Sequence, residues 1–242
     1  MTAQRYLIVN ADDFGQSHGV NRGIIEAYEH GIVTSASLMV RWPAAREAAA
    51  YCRQRPGFSL GLHVDCNEWA YRNGDWVPLY EVVSLKDTTA VTDEVARQLA
   101  MFRRLVGREP THIDSHQHVH LWEPVRSVLT EVARTLAVPL RHCGTEVRYC
   151  GDFYGQTANG IPFPDAISVD GLLKILKTLR PGFTELGCHP GTGNDLDTMY
   201  SSERAEEVKV LCDPRVRASL VAMRIELRSF LHIPACLMSA MP

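Results

Sequence analysis

The sequence predicts an α/β fold. The expected form is a (β/α) barrel-like sheet of about seven parallel strands with the active site at the C-terminal strand ends. Three observations carry this expectation. Apolar runs alternate with segments whose apolar residues recur at helical spacing, and such repeats give parallel strands with right-handed crossovers. The chain has 242 residues, a length at which barrels often form one unit. Asp and His residues follow several of the apolar runs, at the end where parallel-strand barrels carry their chemistry. An open doubly wound sheet also satisfies the first two observations.

The first strand is expected over Tyr6–Asn10 and leads into NADDFG, residues 10–15. Val20, Ile24, Ala27 and Tyr28 then share a helix face, and Gly31 can terminate it. Strands are expected over Thr34–Val40 and Ser59–Val64. A helix is expected over 92–106. Thr92 and Asp93 can cap it, Val95, Leu99, Phe102 and Leu105 line one side, and Gly107 and Pro110 stop it. A strand over Thr111–Ser115 is followed by a helix over 124–136 and a strand over Pro139–His142. A strand over Thr184–Cys188, a helix over 201–212 and a strand over Ile225–Phe230 close the pattern.

Two stretches, 65–90 and 143–167, show no clear period. They hold Trp69, Tyr71, Trp76, Tyr80, Tyr149, Phe153, Tyr154 and Phe163. Long aromatic-rich loops in a compact domain often carry function. Residues 1–233 read as a single domain and 234–242 as a loose C-terminal tail.

Bulk composition narrows the function. The hydrophobic fraction is 45% and the formal net charge −3, with no long basic run. Nucleic acid and anionic membrane are poor partners for such a chain. No apolar run approaches the ~20 residues of a membrane span. Met1–Arg5 leads into too few apolar residues for a signal-peptide core, so the expected location is cytoplasmic. Seven cysteines, at 52, 66, 143, 150, 188, 212 and 236, form no CxxC pair and fit reduced thiols.

The chemistry is expected at the strand ends. Asp12 and Asp13 follow the first strand, His63 ends the third, and "THIDSHQHVH" ends the fourth with His112, Asp114, His116, His118 and His120. His189 follows the sixth in "ELGCHPG". Adjacent carboxylates after an apolar strand are tolerated when paired or bound to metal. Two imidazoles and a carboxylate hold a hydrolytic zinc and leave a position for water; the same trio suits non-haem iron. A neighbouring carboxylate can take a proton from that water, and a His across the site can protonate a leaving group. Asp12, Asp13 and His189 fit this division of labour. The residues alone do not choose among His116, His118 and His120.

The stretches "LIVNADDFG", "GIIEAYEHGIVTSASLMV", "GLHVD", "GREPTHIDSHQHVH" and "CHPG", and the ending "IELRSF", resemble the YdjC-like carbohydrate deacetylases. That family includes chitooligosaccharide deacetylases and the hopanoid-associated HpnK type. The resemblance implies a barrel-like α/β fold, one divalent metal ion, Zn2+ or Mg2+, and hydrolysis of an N-acetyl group on an amino sugar. It implies Asp13, His63 and His116 as metal ligands, Asp12 as general base and His189 as general acid. Two imidazoles favour zinc, since magnesium prefers oxygen ligands.

Asp114, two residues before His116, is expected to orient it. His118 is expected near the site because alternate strand residues face the same way. Trp69, Trp76 and Tyr154 can stack on sugar faces or simply pack their loops. By analogy a homodimer is expected. Arg41-Trp42-Pro43 departs from the family pattern, and Arg41 is expected on the surface rather than against an acidic substrate group; "GLHVDCNEW" differs from the chitooligosaccharide enzymes after the His, so their particular substrate does not transfer. The rivals are an amidohydrolase- or phosphoesterase-like metal hydrolase and a non-catalytic sugar-binding protein.

Overall fold

The computed structural model describes residues 4–193 and 195–233; the tail expected over 234–242 lies outside them. The chain opens with β1 (Arg5–Phe14), buried from Leu7 onward on both faces, as strands covered by helices are. It runs four residues beyond the expected end, through the acidic pair. Asp13 has φ +67, and the β1 register against its neighbour shifts between Ala11 and Phe14. The acidic pair is thus a β-bulge, a device that re-aims side chains beside functional sites.

Next come α1 (His18–Glu29), whose N-cap Ser17 accepts from the Val20 amide, then β2 (Ser35–Leu38), α2 (Ala45–Arg53) and β3 (Ser59–Val64). The stretch expected to lack a period holds an antiparallel hairpin, β4 (Asn67–Arg72) and β5 (Asp75–Glu81). Asn73 and Gly74 turn it with φ of +56 and +90, the positive values that tight hairpins require.

Helix α3 (Thr88–Val106) begins one turn before the expected residue 92, because Asp87, and not Thr92 or Asp93, caps it by accepting from the Ala90 amide. Gly107 ends it in the left-handed conformation, φ +79, as expected. Then follow β6 (Ile113–Ser115), α4 (Val125–Leu136), β7 (Val147–Cys150), α5 (Val169–Thr178), β8 (Gly182–Cys188), α6 (Ser202–Leu211), α7 (Pro214–Ala222) and β9 (Ile225–Leu227). Helices α2, α5 and α7 have no counterpart among the sequence expectations.

The main sheet has seven strands in the order β6-β3-β2-β1-β8-β7, with β9 also on β1, and every pairing is parallel. Strand β8 covers one edge of β1 from Arg5 to Ala11. The other edge is shared by β9 against Arg5–Leu7 and β2 against Asn10–Phe14. The sheet curls into a half-barrel with flanking helices. This agrees with the expected barrel-like α/β class and its count of about seven strands.

One strand is misplaced in the sequence reading. Pro139–His142 makes only a single bridge, Ile113 to Leu140. Pro139 has no N–H for a ladder, and His142 turns away at φ +63. The strand beside β8 is β7, inside the stretch expected to lack a period. The last strand also stops early, at Leu227, and Phe230 lies in a short 3-10 turn.

Candidate active site

The β1 bulge, the end of β3 and the residue after β6 converge. Asp13 Oδ1 lies 3.3 Å from His63 Nε2 and 3.1 Å from His116 Nδ1. All three side chains are buried. Their donor atoms are mutually close enough to hold one metal ion. Asp13 Oδ2 accepts from Arg204 on α6 at 2.7 Å. Burial opposes ionisation of Asp13, but Arg204, His116 and His63 outweigh it and hold the carboxyl well below its ordinary range.

Asp114 sits on β6 beside His63, not beside His116. Its Oδ1 accepts from His63 Nδ1 at 2.7 Å, and its Oδ2 accepts from Ser37 at 2.6 Å and pairs with Arg141 at 2.7 Å. The expectation that it orients His116 is therefore corrected. His63 and Asp114 face each other across the β3–β6 ladder, so register, not sequence proximity, chooses the partner. With Nδ1 engaged, His63 presents Nε2 to Asp13, the tautomer a metal needs. Burial resists protonation of His63, yet Asp114, Asp13 and Asp12 raise its pKa to about 9. Carboxylates that attract a proton so strongly also attract a cation.

His118 lines the same cavity, though not by strand alternation. The strand ends at Ser115, and Gln117 and His118 adopt left-handed φ of +49 and +54, a kink that breaks the 3-10 segment His116–Leu121. That kink carries His118 to within 3.5 Å of the Tyr149 hydroxyl. Burial and Arg141 push its pKa down to about 3.

Asp12 is gripped at both oxygens by Arg141, at 2.6 and 2.7 Å, and its Oδ1 also accepts from Asn10 at 2.9 Å. Arg141 is buried and also contacts Glu185 at 2.8 Å. A second possible cation trio, Asp12, His63 and Asp114, exists. Arg141 holds both Asp12 oxygens and Asp114 Oδ2, whereas Arg204 takes only Asp13 Oδ2 and leaves Oδ1 facing the two histidines, which makes Asp13 with them the better cation site.

His189 follows β8, with Nε2 3.9 Å from Asp12 Oδ2. The Tyr154 and Tyr200 rings pack on it at 5.4 and 5.5 Å. Its backbone amide donates to Glu207, which also accepts from the Tyr200 hydroxyl. Burial is the largest influence on His189; it outweighs Asp12 and Asp13 and pushes the pKa down to about 4.

Above these groups lies a cavity of about 820 Å³ that Asp12, Asp13, His63, His116 and His189 all line. Trp69, Trp76 and Tyr154, expected as sugar contacts, line it too, with Trp122, Tyr149 and Phe153. Arg41 does not belong to it; that side chain pairs with Asp65 at 2.9 Å. Sequence reading did not find Arg141, Arg204, Glu68 or Trp122. Arg141 lies within the expected strand Pro139–His142, one residue from its C-terminal end, a signal available to the eye. Arg204 sits in a polar helix like many surface arginines and gives none.

Comparisons with known proteins identify a family and relatives for the chain. The family model described as YdjC-like protein matches residues 6–222. A carbohydrate deacetylase of Geobacillus stearothermophilus is 32% identical over 93% of this chain and 97% of its own. A chitooligosaccharide deacetylase of Serratia marcescens is 32% identical over 94% of this chain and 98% of its own. Among solved structures, an Enterococcus faecalis V583 protein whose suggested role is cellobiose-phosphate cleavage superposes with a TM-score of 0.74 at 25% identity. The match covers 95% of this chain and 98% of that one.

Proposed function

The chain belongs to the YdjC-like protein family, and we propose that it is a metal-dependent carbohydrate deacetylase. It would hydrolyse the N-acetyl group of an amino sugar or an amino-sugar glycoconjugate. The observation that carries the reading is the convergence of Asp13, His63 and His116 at the floor of the cavity, with Asp12 and His189 beside them. Curated relatives named as carbohydrate and chitooligosaccharide deacetylases support it.

Asp13, His63 and His116 would hold the divalent ion. Their mixed nitrogen and oxygen donors suit Zn2+ better than Mg2+. When bound, such an ion polarises the amide carbonyl and brings the ionisation of water toward neutral pH.

The chain's own residues handle the proton. Arg141 outweighs the burial of Asp12 and keeps it ionised, so Asp12 can take the proton of the attacking water. His189 Nε2 lies 3.9 Å from Asp12 and is neutral near pH 7. It can therefore receive that proton and pass it to the departing amine, leaving acetate and the free amino sugar. Tyr154 and Tyr200 hold the His189 ring, and the tryptophans line the route by which a sugar enters. We also propose a cytoplasmic location, where the free cysteines among the described residues stay reduced.

A phosphoesterase would need uncommitted cationic groups around a phosphate. Arg204 is the one arginine or lysine among the described residues lining the cavity, and Asp13 occupies it. The test is acetate release from N-acetylglucosamine oligomers and other acetylated amino sugars, before and after chelation and after Zn2+ is restored. Activity that is lost and then regained, with one ion per chain, supports the proposal. A second ion per chain points to an amidohydrolase-like centre. Sugar binding without acetate release, on every substrate tried, points to a binding protein.

A further inference from the structure

Glu68 has no role in the scheme above. It stands on β4, the hairpin strand outside the main sheet, and its side chain faces the cavity. The residue is only 6% exposed. Among the described residues its carboxylate finds one charged partner, His116 Nε2 at 3.7 Å. That nitrogen is itself buried and lacks a hydrogen-bond partner. A buried carboxylate is costly unless paired, and so is a buried imidazole nitrogen left unmade.

The arrangement parallels what surrounds His63 with a wider gap: Asp114 lies 2.7 Å from its imidazole and Glu68 3.7 Å from that of His116. Each imidazole turns one nitrogen to Asp13, His63 through Nε2 and His116 through Nδ1. Each turns its other nitrogen to a second carboxylate, His63 to Asp114 and His116 to Glu68. The two residues that follow hold this register. The Gln117 side chain accepts from the Trp69 amide at 2.9 Å and donates to the Trp69 carbonyl at 2.7 Å. A two-point clamp thus joins the neighbours of Glu68 and His116 and fixes β4 against the turn after β6.

We propose that Glu68 is the positioning residue for His116. It holds the proton on Nε2, so that Nδ1 is the nitrogen offered to the ion. Carboxylates behind ligating histidines fix tautomer and ring orientation in this way. The hairpin is then part of the metal centre and not only a wall of the substrate cavity. This inference rests on the proposed metal site.

The experiment is Zn2+ titration of the wild-type protein, Glu68→Ala, Glu68→Gln and Gln117→Ala, with Tm measured before metal is added. Glu68→Ala should weaken Zn2+ binding about 10- to 100-fold at an unchanged metal-free Tm. Glu68→Gln, whose amide oxygen can also accept from an Nε2–H, should recover most of the loss. Gln117→Ala should fall between the two. Co2+ loaded in place of Zn2+ should show an altered visible spectrum in Glu68→Ala. In the Zn2+-loaded wild type, ring ¹⁵N shifts should show His116 protonated at Nε2, a measurement that needs no variant to fold. Equal affinity for wild type and Glu68→Ala, or a proton on His116 Nδ1, overturns the inference and leaves the metal site standing. A wild-type protein that binds no Zn2+ removes the metal site and this inference together.

Discussion

Arg141 clasps Asp12 through both terminal nitrogens, at 2.6 and 2.7 Å, deep in the half-barrel. The same guanidinium reaches Asp114 and Glu185, so one cation contacts three buried carboxyl groups. Removing it leaves Asp12 without the guanidinium that holds both its oxygens. Arg141→Ala is expected to lose about 3–5 kcal/mol of stability, the cost of breaking a buried ion pair from one side. Urea unfolding checks this. A loss below about 1 kcal/mol, the scale of an exposed pair, would show that the network does not act as a buried unit.

Asp12 is held by Arg141 and not by the proposed ligands, so its two roles are separable by mutation. Asp12→Asn keeps the shape and removes the base. Acetate release should fall about 10²- to 10⁴-fold, while Zn2+ affinity measured by calorimetry stays within a few-fold of wild type. Full activity in this variant would mean that another group takes the proton.

Burial pushes the Glu207 carboxyl up to about 8, against the opposing pull of its hydrogen bonds and Arg204, whereas an unfolded Glu titrates at about 4.3. The folded state thus keeps a proton that the unfolded state has lost between these values. Its contribution is fully present below about pH 4 and is lost as pH rises through about 8. Glu207→Gln cannot titrate. The wild-type advantage over this variant, from urea unfolding at pH 5 and pH 8.5, should therefore shrink as pH rises. The limiting slope is about 1.4 kcal/mol per pH unit for one proton. A difference independent of pH would mean that Glu207 ionises normally.

Gly61 on β3 meets the His112 ring: a Cβ there would stand 2.4 Å from Nε2. His112 cannot yield easily, because it stacks on Phe230 at 3.7 Å and contacts Ser37 at 3.0 Å. Gly61→Ala should cost about 1–3 kcal/mol, the range of an overpacked core, as a lowered Tm. It should also disturb His63, two residues along, and weaken Zn2+ binding. An unchanged Tm would show that the ring has room to move.

Asp13 and His63 were legible as candidates because each stands near a strand's C-terminal end, and parallel strands deliver those ends to one rim. The barrel-like class was legible for the same reason. Strand position alone did not choose His116 over His118 and His120, and only the family resemblance implied it. The partners of these residues were not legible. Asp114 serves His63 because cross-strand register sets the pairing, and register is invisible without knowing strand order. His118 reaches the cavity through a left-handed turn that no apolar period announces. Strand β7 carries Arg148 and Tyr149 within an irregular stretch and reads as loop until β8 is there to pair with it. Arg204 and Glu68 come from elements packed on the sheet from outside, where helical or hairpin pattern says nothing about which polar face turns inward.

The cavity mouth makes the last prediction. Trp69, Trp76 and Trp122 line it and remain 37%, 40% and 70% exposed. Exposed tryptophan is costly surface unless something covers it, and clustering around one opening suits a flat apolar face such as that of a pyranose ring. Aromatic contacts contribute about 0.5–1.5 kcal/mol each, or about 2- to 12-fold in affinity. Trp→Ala at each position should therefore raise KM by that factor with kcat nearly unchanged, because a contact kept through the reaction is uniform binding. Trp122, the most exposed, should matter for oligomers and little for a single acetylated sugar. Its side chain, the most exposed of the three, is expected to meet only the more distant units of a longer substrate. KM values for mono-, di- and trisaccharide substrates measure the effect. Equal shifts at all lengths would place Trp122 against the reacting sugar itself, and no shift at any length would make it a packing residue of the loop.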